Sequence, residues 1–199
     1  MKKEILIFVF LCFPLLAWAQ DTEAETETQT KRQGSAGFGA VFFNDFSGKI
    51  DDENKISTGI GAYLYGDFVF IELICGLFYG NSGKLDYLGA VLGVYGKYPF
   101  MLSKRFSIFP LLGFDYKTAL HAKYNRMAFQ ESDIDWHQFW FKAGAGMDFN
   151  VGKKFHLRLE GLYGIRLNTD GENTLEDGTV INIHDSIGHG FTLRFAIGI

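Results

Sequence analysis

The most constraining feature of the sequence is a strict alternation of apolar and polar residues between positions 136 and 167. In the first arm, 136–151, apolar side chains take every second position, and polar residues or glycines take the positions between them. The second arm, 155–167, repeats the pattern after Gly152-Lys153-Lys154. Period-two alternation predicts two β-strands joined in a hairpin. Each arm exceeds the common strand length of about 5 to 6 residues and suffices for the roughly 9 to 11 residues that cross a bilayer.

The same alternation recurs along the chain and predicts eight strands. We place them at 35–43, 57–65, 68–79, 85–98, 106–120, 136–151, 155–167 and 187–199. The connections after odd-numbered strands are mostly long and polar, whereas those after even-numbered strands are short. Long loops at one end and short turns at the other are typical of a transmembrane β-barrel. We expect a β-bulge near Pro110, inside the fifth strand, because proline cannot donate a ladder hydrogen bond.

Alternation alone does not say which face of each strand points outward, because a soluble barrel carries its apolar face inside. Here the non-apolar face is built largely of glycine and holds almost all charges within the strands. A soluble surface would be rich in charge. Placing Lys or Arg on the lipid side at mid-bilayer costs about 2 to 4 kcal/mol. The sequence therefore predicts apolar residues facing hydrocarbon, glycines and charges facing inward, and a closed sheet without free edges.

The inward-facing charges are the nearest thing in the sequence to a functional site. Counted from the turn ends of the strands, they form a lower layer of Glu72, Asp148, Arg158, Glu160 and Arg194 and an upper layer of Asp115, Lys117, Lys142 and Arg166. We expect opposite charges to pair, because an isolated buried ion is strongly disfavoured. Two interpretations are open, a gated ion path and a lumen plugged by salt bridges. The small interior of an eight-stranded barrel favours the plug.

The ends of the chain predict export. Residues 1–19 combine Lys2 and Lys3 with an apolar run and an Ala-Trp-Ala site, as a signal peptide does. Residues 20–33 lack apolar periodicity and are predicted to be a disordered periplasmic segment, leaving 34–199 as the barrel domain. Only Cys75 remains after cleavage, so no internal disulfide is expected. The formal net charge of −4 does not suggest a nucleic-acid partner.

The eight-strand pattern and the mixed-charge interior resemble the small outer-membrane barrels of the OmpA/OmpX type and, more loosely, of the OmpW type. The last strand adds to this resemblance through its alternating Phe191, Leu193, Phe195, Ile197 and Ile199. Over 34–199 it implies an all-β, eight-stranded antiparallel up-and-down transmembrane β-barrel in the bacterial outer membrane, with both termini periplasmic. The expected partners are the bilayer, lipopolysaccharide or another outer-leaflet lipid, and the barrel-assembly machinery. Such families usually end on an aromatic residue, whereas this sequence ends on Ile199.

Three functions remain open at this point. The first is a structural or surface-interaction protein that meets an unknown extracellular ligand through loops 44–56, 121–135 and 168–186, because loops on a rigid scaffold carry variable function. The apolar residues of the middle loop are its candidate contacts: Tyr124, Met127 and Phe129. The second is a narrow pore or a carrier for small hydrophobic solutes.

The third possible function is a lipid-modifying enzyme at the outer rim. It would use His184-Asp185-Ser186, with His137 and His189 nearby in the sequence pattern. A catalytic triad requires a spatial chain of hydrogen bonds, and adjacent polar residues at a loop end more often shape a turn. The sequence therefore favours a protein that is not an enzyme. It shows no metal-ligand spacing and no cofactor motif.

Overall fold

The fold is taken from a computed structural model, which describes residues 34–50, 53–82, 85–124, 137–152, 155–167, 170–174, 180–184 and 188–199. The predicted signal peptide, 1–19, and the predicted periplasmic segment, 20–33, lie outside the described residues. No helix in the described ranges is long and apolar enough to cross a membrane.

Eight long antiparallel strands close into a barrel. The strands of the chain are β1 (Ser35–Ile50), β2 (Glu53–Asp67), β3 (Ile71–Ser82), β4 (Leu85–Lys97), β5 (Phe100–Met101), β6 (Phe106–Tyr124), β7 (His137–Val151), β8 (Phe155–Arg166), β9 (Asp170–Thr174), β10 (Val180–His184) and β11 (His189–Gly198). Each long strand pairs with the next, and the pairings β4–β6 and β1–β11 complete the ring. The predicted eight-stranded up-and-down fold is confirmed.

The two ends of the barrel differ. At one end, which we call the turn end, lie the first residue of β1, the last residue of β11 and the connections 68–70, 98–105 and 152–154. At the other, the loop end, lie the connections that follow β1, β3, β6 and β8. The short β5 continues alongside β6 at the turn end, and β9 and β10 form a separate two-stranded hairpin at the loop end.

The two faces of the wall have the predicted polarity. Large apolar side chains lie on the outside, where Phe38 is 63% exposed, Leu112 54% and Phe195 50%. The interior holds charged, aromatic and glycine residues, and Glu72, Arg158 and Arg194 are buried there. A wall with this apolar exterior is stable only against hydrocarbon, and closure pairs both backbone edges of every long strand.

Two predicted loops are shorter than expected. The region 44–56 is mostly paired, since β1 runs to Ile50 and β2 starts at Glu53, with Asp45 opposite Ser57. This correction has a physical reason: Asp45 and Ser57 are buried inside the barrel, so their polarity marks the interior face and not a loop. The predicted loop 168–186 likewise contains the hairpin of β9 and β10.

The predicted two-residue turn at 66–67 and the third strand's start at Phe68 are also wrong. Strand β2 continues through Asp67, which pairs with Glu72, and the chain reverses over 68–70. Asp67 stays in the strand because its carboxylate points inward, where it meets Lys97 and Arg158.

The β-bulge expected at Pro110 is not there. Pro110 pairs in regular register with Ala145, and the β4–β6 ladder ends at Lys97 opposite Leu111, the residue that follows the proline in the chain. The irregularity of this ladder lies instead between Leu88 and Gly89, opposite the segment 119–121.

Val69, in the turn 68–70, has a strained backbone conformation whose cost a substitution can measure. Its φ is +72°, in the left-handed region that costs an L-residue about 1 to 2 kcal/mol, and its amide donates to Oδ1 of Asp67 at 3.0 Å. We expect Val69→Gly to raise the free energy of unfolding by about 1 kcal/mol, measured by urea unfolding in phosphatidylcholine vesicles. The control is Val94→Gly in the middle of β4, which should lower it by about 1 kcal/mol. Equal losses in both variants would contradict the assignment of strain.

Candidate functional site

The candidate site is the interior of the barrel, where the structure places all nine predicted charges. Strand alternation turns each of them inward, and eight of the nine are buried. The exception is Asp148, whose side chain is 17% exposed. The interior therefore concentrates ionic groups in a space from which the wall excludes solvent, and each of them needs a partner of opposite charge.

Arg158 on β8 is the centre of the ion pairs nearest the turn end. Its Nε lies 2.7 Å from Asp148 Oδ1, and its Nη2 lies 2.9 Å from Asp148 Oδ2, so this pair is bidentate. The same guanidinium lies 2.7 Å from Glu72 and 2.8 Å from Asp67. Its Cζ also lies over the ring of Tyr65, 4.4 Å from the ring centroid. One cation thus neutralises carboxylates from three strands, as the fork of donors on arginine allows.

Arg194 on β11 connects this group to the middle of the barrel. Its Nη1 lies 3.2 Å from Glu160 and 3.4 Å from Glu72, so Glu72 is shared between two arginines. Its Nη2 donates to the hydroxyl of Tyr95 at 2.5 Å, and that hydroxyl donates to Asp115 at 2.5 Å. The tyrosine therefore joins the predicted lower and upper layers into one network.

The predicted upper layer does not form a single group. Lys142 pairs with Asp115 at 2.8 Å and donates to Thr192 at 2.8 Å. Lys117 pairs instead with Asp45 at 2.8 Å, and its ammonium lies 4.0 Å from the ring centroid of Phe43. The remaining predicted residue, Arg166, is buried at the loop end near Gly188.

Sequence reasoning missed three ionic members of this network: Asp45, Asp67 and Lys97. Asp45 had been assigned to a loop and Asp67 to a turn, because polar residues at strand ends have the composition of connections. Lys97 lies two residues after the inward-facing Tyr95 on the same strand. The alternation therefore already indicated that Lys97 faces the interior. Lys97 contacts Asp67 and lies 3.9 Å from Glu72.

With these additions the described interior is balanced in formal charge. The carboxylates are Asp45, Asp67, Glu72, Asp115, Asp148 and Glu160, and the cations are Lys97, Lys117, Lys142, Arg158, Arg166 and Arg194. Between the ion pairs, near Lys117, Lys142 and Tyr63, lies a cavity of about 10 Å³. That is roughly the space of one water molecule. Among the described residues, no group of three or more His, Cys, Asp or Glu side chains could hold a metal ion.

The other predicted site residues lie at the loop end. Tyr124 is the last residue of β6, opposite Leu85, whereas Met127 and Phe129 lie outside the described residues. His137 and His189 face outward and are exposed.

Both exposed histidines pack against aromatic rings. The His137 ring is stacked on Tyr116 with 5.7 Å between the ring centroids, and its Nδ1 lies 2.6 Å from the Tyr116 hydroxyl. The His189 ring is stacked on Phe46 at 5.3 Å. His184 ends β10, and Asp185 and Ser186 lie outside the described residues. His137 and His189 stand on strands separated by β8, so the described geometry does not bring them together.

The comparisons with known proteins concern the fold. The sequence matches no protein-family model and no curated protein at a significant level. Among solved structures, Neisserial surface protein A is similar with a TM-score of 0.53 and 8% sequence identity, over 83% of this chain and 96% of that one. The outer membrane protein OprG from Pseudomonas aeruginosa is similar with a TM-score of 0.53 and 12% identity, over 83% of this chain and 93% of that one.

At such low identity, the similarity is evidence for the fold alone. It agrees with the closed barrel and with the apolar outer face and charged inner face of its wall. The expected resemblance to small OmpA/OmpX-type barrels is therefore confirmed at the level of fold: the chain is an eight-stranded transmembrane β-barrel of the small outer-membrane type.

Proposed function

We propose that this protein is a non-catalytic outer-membrane scaffold whose lumen is closed by ion pairs and whose loop end meets partners outside the cell. The observation that carries the proposal is the charge-balanced network centred on Arg158 and Arg194, which joins strands across the interior. A path for ions or solutes needs open space along the axis. The cavity found between the ion pairs has room for about one water molecule.

The same proposal places the protein in the bacterial outer membrane with its turn end and both termini in the periplasm. An even number of strands brings the termini to one end, and short turns belong to the periplasmic side of such barrels. The signal peptide, 1–19, would direct export, and the barrel-assembly machinery would insert the barrel. Lipopolysaccharide or another outer-leaflet lipid would then surround the loop end.

We assign the surface-interaction role to the three segments predicted as loops at the loop end: 44–56, 121–135 and 168–186. The paired ends of β1 and β2 and the hairpin of β9 and β10 support it, because ordered strands that extend past the barrel offer a more rigid surface than a free loop. Tyr124, Met127 and Phe129 stay the candidate contacts of the middle segment. The identity of the extracellular ligand is open.

Single-channel recording in planar bilayers tests the plug. We expect the wild-type barrel to show no steady conductance, because its axis is filled by paired side chains. The double variant Glu160→Ala/Arg194→Ala removes one anion and one cation from the middle of the network, so it should conduct without a change in net charge. The change in electrophoretic mobility on heating verifies that both proteins are folded.

The pore or solute-carrier alternative makes the opposite prediction for the wild type. Steady conductance of the unmodified barrel, at a level that Glu160→Ala/Arg194→Ala does not increase, would contradict the plug and favour the pore. Outward-facing Leu112→Ala serves as the matched control, because it shortens a side chain without touching the interior.

A further inference from the structure

The connection between β4 and β6 at the turn end carries an unusual run of exposed apolar residues. Tyr98 is 51% exposed, Phe100 and Met101 are each 49% exposed, and Leu102 is 61% exposed. Lys104 and Arg105 follow within three residues, and both are exposed. Apolar and aromatic side chains next to cations are typical of segments that lie at a membrane–water interface.

The backbone explains why consecutive side chains are exposed. Strand β4 ends at Lys97, and β5 continues along β6 with Phe100 opposite Ile108. Within the described chain, no strand pairs with the other edge of β5. The ring of Tyr98 lies 5.9 Å from that of Phe70 and 5.0 Å from that of Phe100. Opposite residues of an antiparallel pair face the same side, so Phe100 points outward with Ile108, whereas Met101 lies on the inward side with the buried Ser107. Tyr98, Phe100 and Leu102 therefore form a ridge on the outer wall at the turn end, which we call the apolar ridge.

Hydrogen bonds fix the basic end of this connection to β7. The backbone amide of Asn150 donates to the carbonyl of Arg105 at 2.8 Å, and its side-chain amide donates to the carbonyl of Lys104 at 3.4 Å. The segment 103–105, which we call the basic turn, therefore presents two cations, Lys104 and Arg105, from an anchored backbone.

Lys104 and Arg105 have no acidic residue in their own connection. The sequences of 98–105 and 149–155 contain neither Asp nor Glu. The nearest carboxylate along β7, Asp148, points inward and is held by Arg158. A concentration of positive charge at the level where the apolar wall ends is complementary to an anionic headgroup, whose acyl chains would lie along the ridge.

We propose that the apolar ridge and the basic turn form a binding site for anionic phospholipids in the leaflet at the turn end. Lys104 and Arg105 contact the phosphate, and Tyr98, Phe100 and Leu102 contact the upper acyl chains. That this leaflet is the periplasmic one rests on the orientation in the proposed function. The headgroup preference does not depend on the orientation, nor on whether the lumen is closed.

Native mass spectrometry of the chain from residue 20, released from nanodiscs with equal amounts of phosphatidylglycerol and phosphatidylcholine, tests the site. The wild type should retain phosphatidylglycerol in preference. The variant Lys104→Gln/Arg105→Gln should lower the ratio of the two bound lipids by roughly fivefold or more, because each cation near an anionic surface contributes about a fivefold preference. Assembly of the nanodiscs at high salt should weaken the wild-type preference by screening.

The matched control is Lys49→Gln/Lys55→Gln, which removes the same charge from the loop-end parts of β1 and β2. It should leave the ratio unchanged. An unchanged ratio in Lys104→Gln/Arg105→Gln, or an equal fall in the control, would overturn the site. So would a preference that appears only when residues 20–33 are deleted, because the acidic Asp21, Glu23, Glu25 and Glu27 would then be the occupant of the basic turn. Failure here leaves the conductance test unaffected.

Discussion

Replacing Arg158 by alanine is expected to lower the free energy of unfolding by about 3 to 5 kcal/mol, the cost of removing one partner from a buried ion pair. The guanidinium touches Asp67, Glu72 and Asp148, so its loss leaves several carboxylates short of a partner in the interior. Lys97 and Arg194 also contact this group and offset part of the loss. Urea unfolding of the barrel in phosphatidylcholine vesicles gives the measurement.

Two further variants isolate the cause of that loss. Arg158→Lys keeps the charge but not the fork of donors, so it should recover only part of the stability. Arg105→Ala removes an exposed arginine at the turn end. It should change the free energy of unfolding by no more than about 0.5 kcal/mol in phosphatidylcholine, which is zwitterionic and has no net charge. If Arg158→Ala had the same small effect as Arg105→Ala, water would be solvating the carboxylates in place of the guanidinium. The lumen would then be hydrated, and the plug would be wrong.

The second large effect is expected at Gly144 on β7. Two neighbouring strands come so close at this point that an added Cβ would overlap the carbonyl oxygen of Gly161 and lie 2.8 Å from the Cα of Leu162. Backbone atoms of a paired strand cannot rotate away as a side chain can. We therefore expect Gly144→Ala to destabilise the barrel by about 3 kcal/mol, the upper range for overpacking a well-packed site.

Gly96 on β4 is the matched control for Gly144. An added Cβ there would have the carbonyl oxygen of Leu112 as its nearest neighbour, 3.7 Å away, which is an ordinary contact. Gly96→Ala should be neutral or slightly stabilising, because alanine has less backbone freedom to lose on folding. The same vesicle unfolding assay compares the two variants. Similar stabilities would show that the strands can separate at Gly144 without loss, contrary to the close approach.

Apart from the bulge expected at Pro110, the tertiary structure changed the predicted strands at their ends and not in their middles. Phe139 to Val151 and Phe155 to Ile165 alternate as the sequence indicates, because hydrocarbon and interior impose opposite chemistry on successive residues. Near the ends this contrast fades. There Asp45 and Asp67 were taken for connections, although both are interior strand residues that bind cations.

The candidate site was likewise predictable only in part. Strand parity was enough to predict that Glu72, Arg158 and Arg194 face inward, since each belongs to the non-apolar series of its own strand. Parity carries no information about which strands oppose each other across the lumen or about shear between them. The link from Arg194 through Tyr95 to Asp115, and the pairing of Lys117 with Asp45 instead of Asp115, could therefore not be predicted.

By itself, the sequence determined that this chain forms a barrel, how many long strands the barrel has and which face of each strand meets lipid. These properties follow from local periodicity, which every strand records independently. Only the tertiary structure decided the partners of the interior charges, the interior ionic residues at the strand ends and the hydrogen bonds from Asn150 to Lys104 and Arg105. Those depend on distances between residues far apart in the chain, such as the 91 positions that separate Asp67 from Arg158.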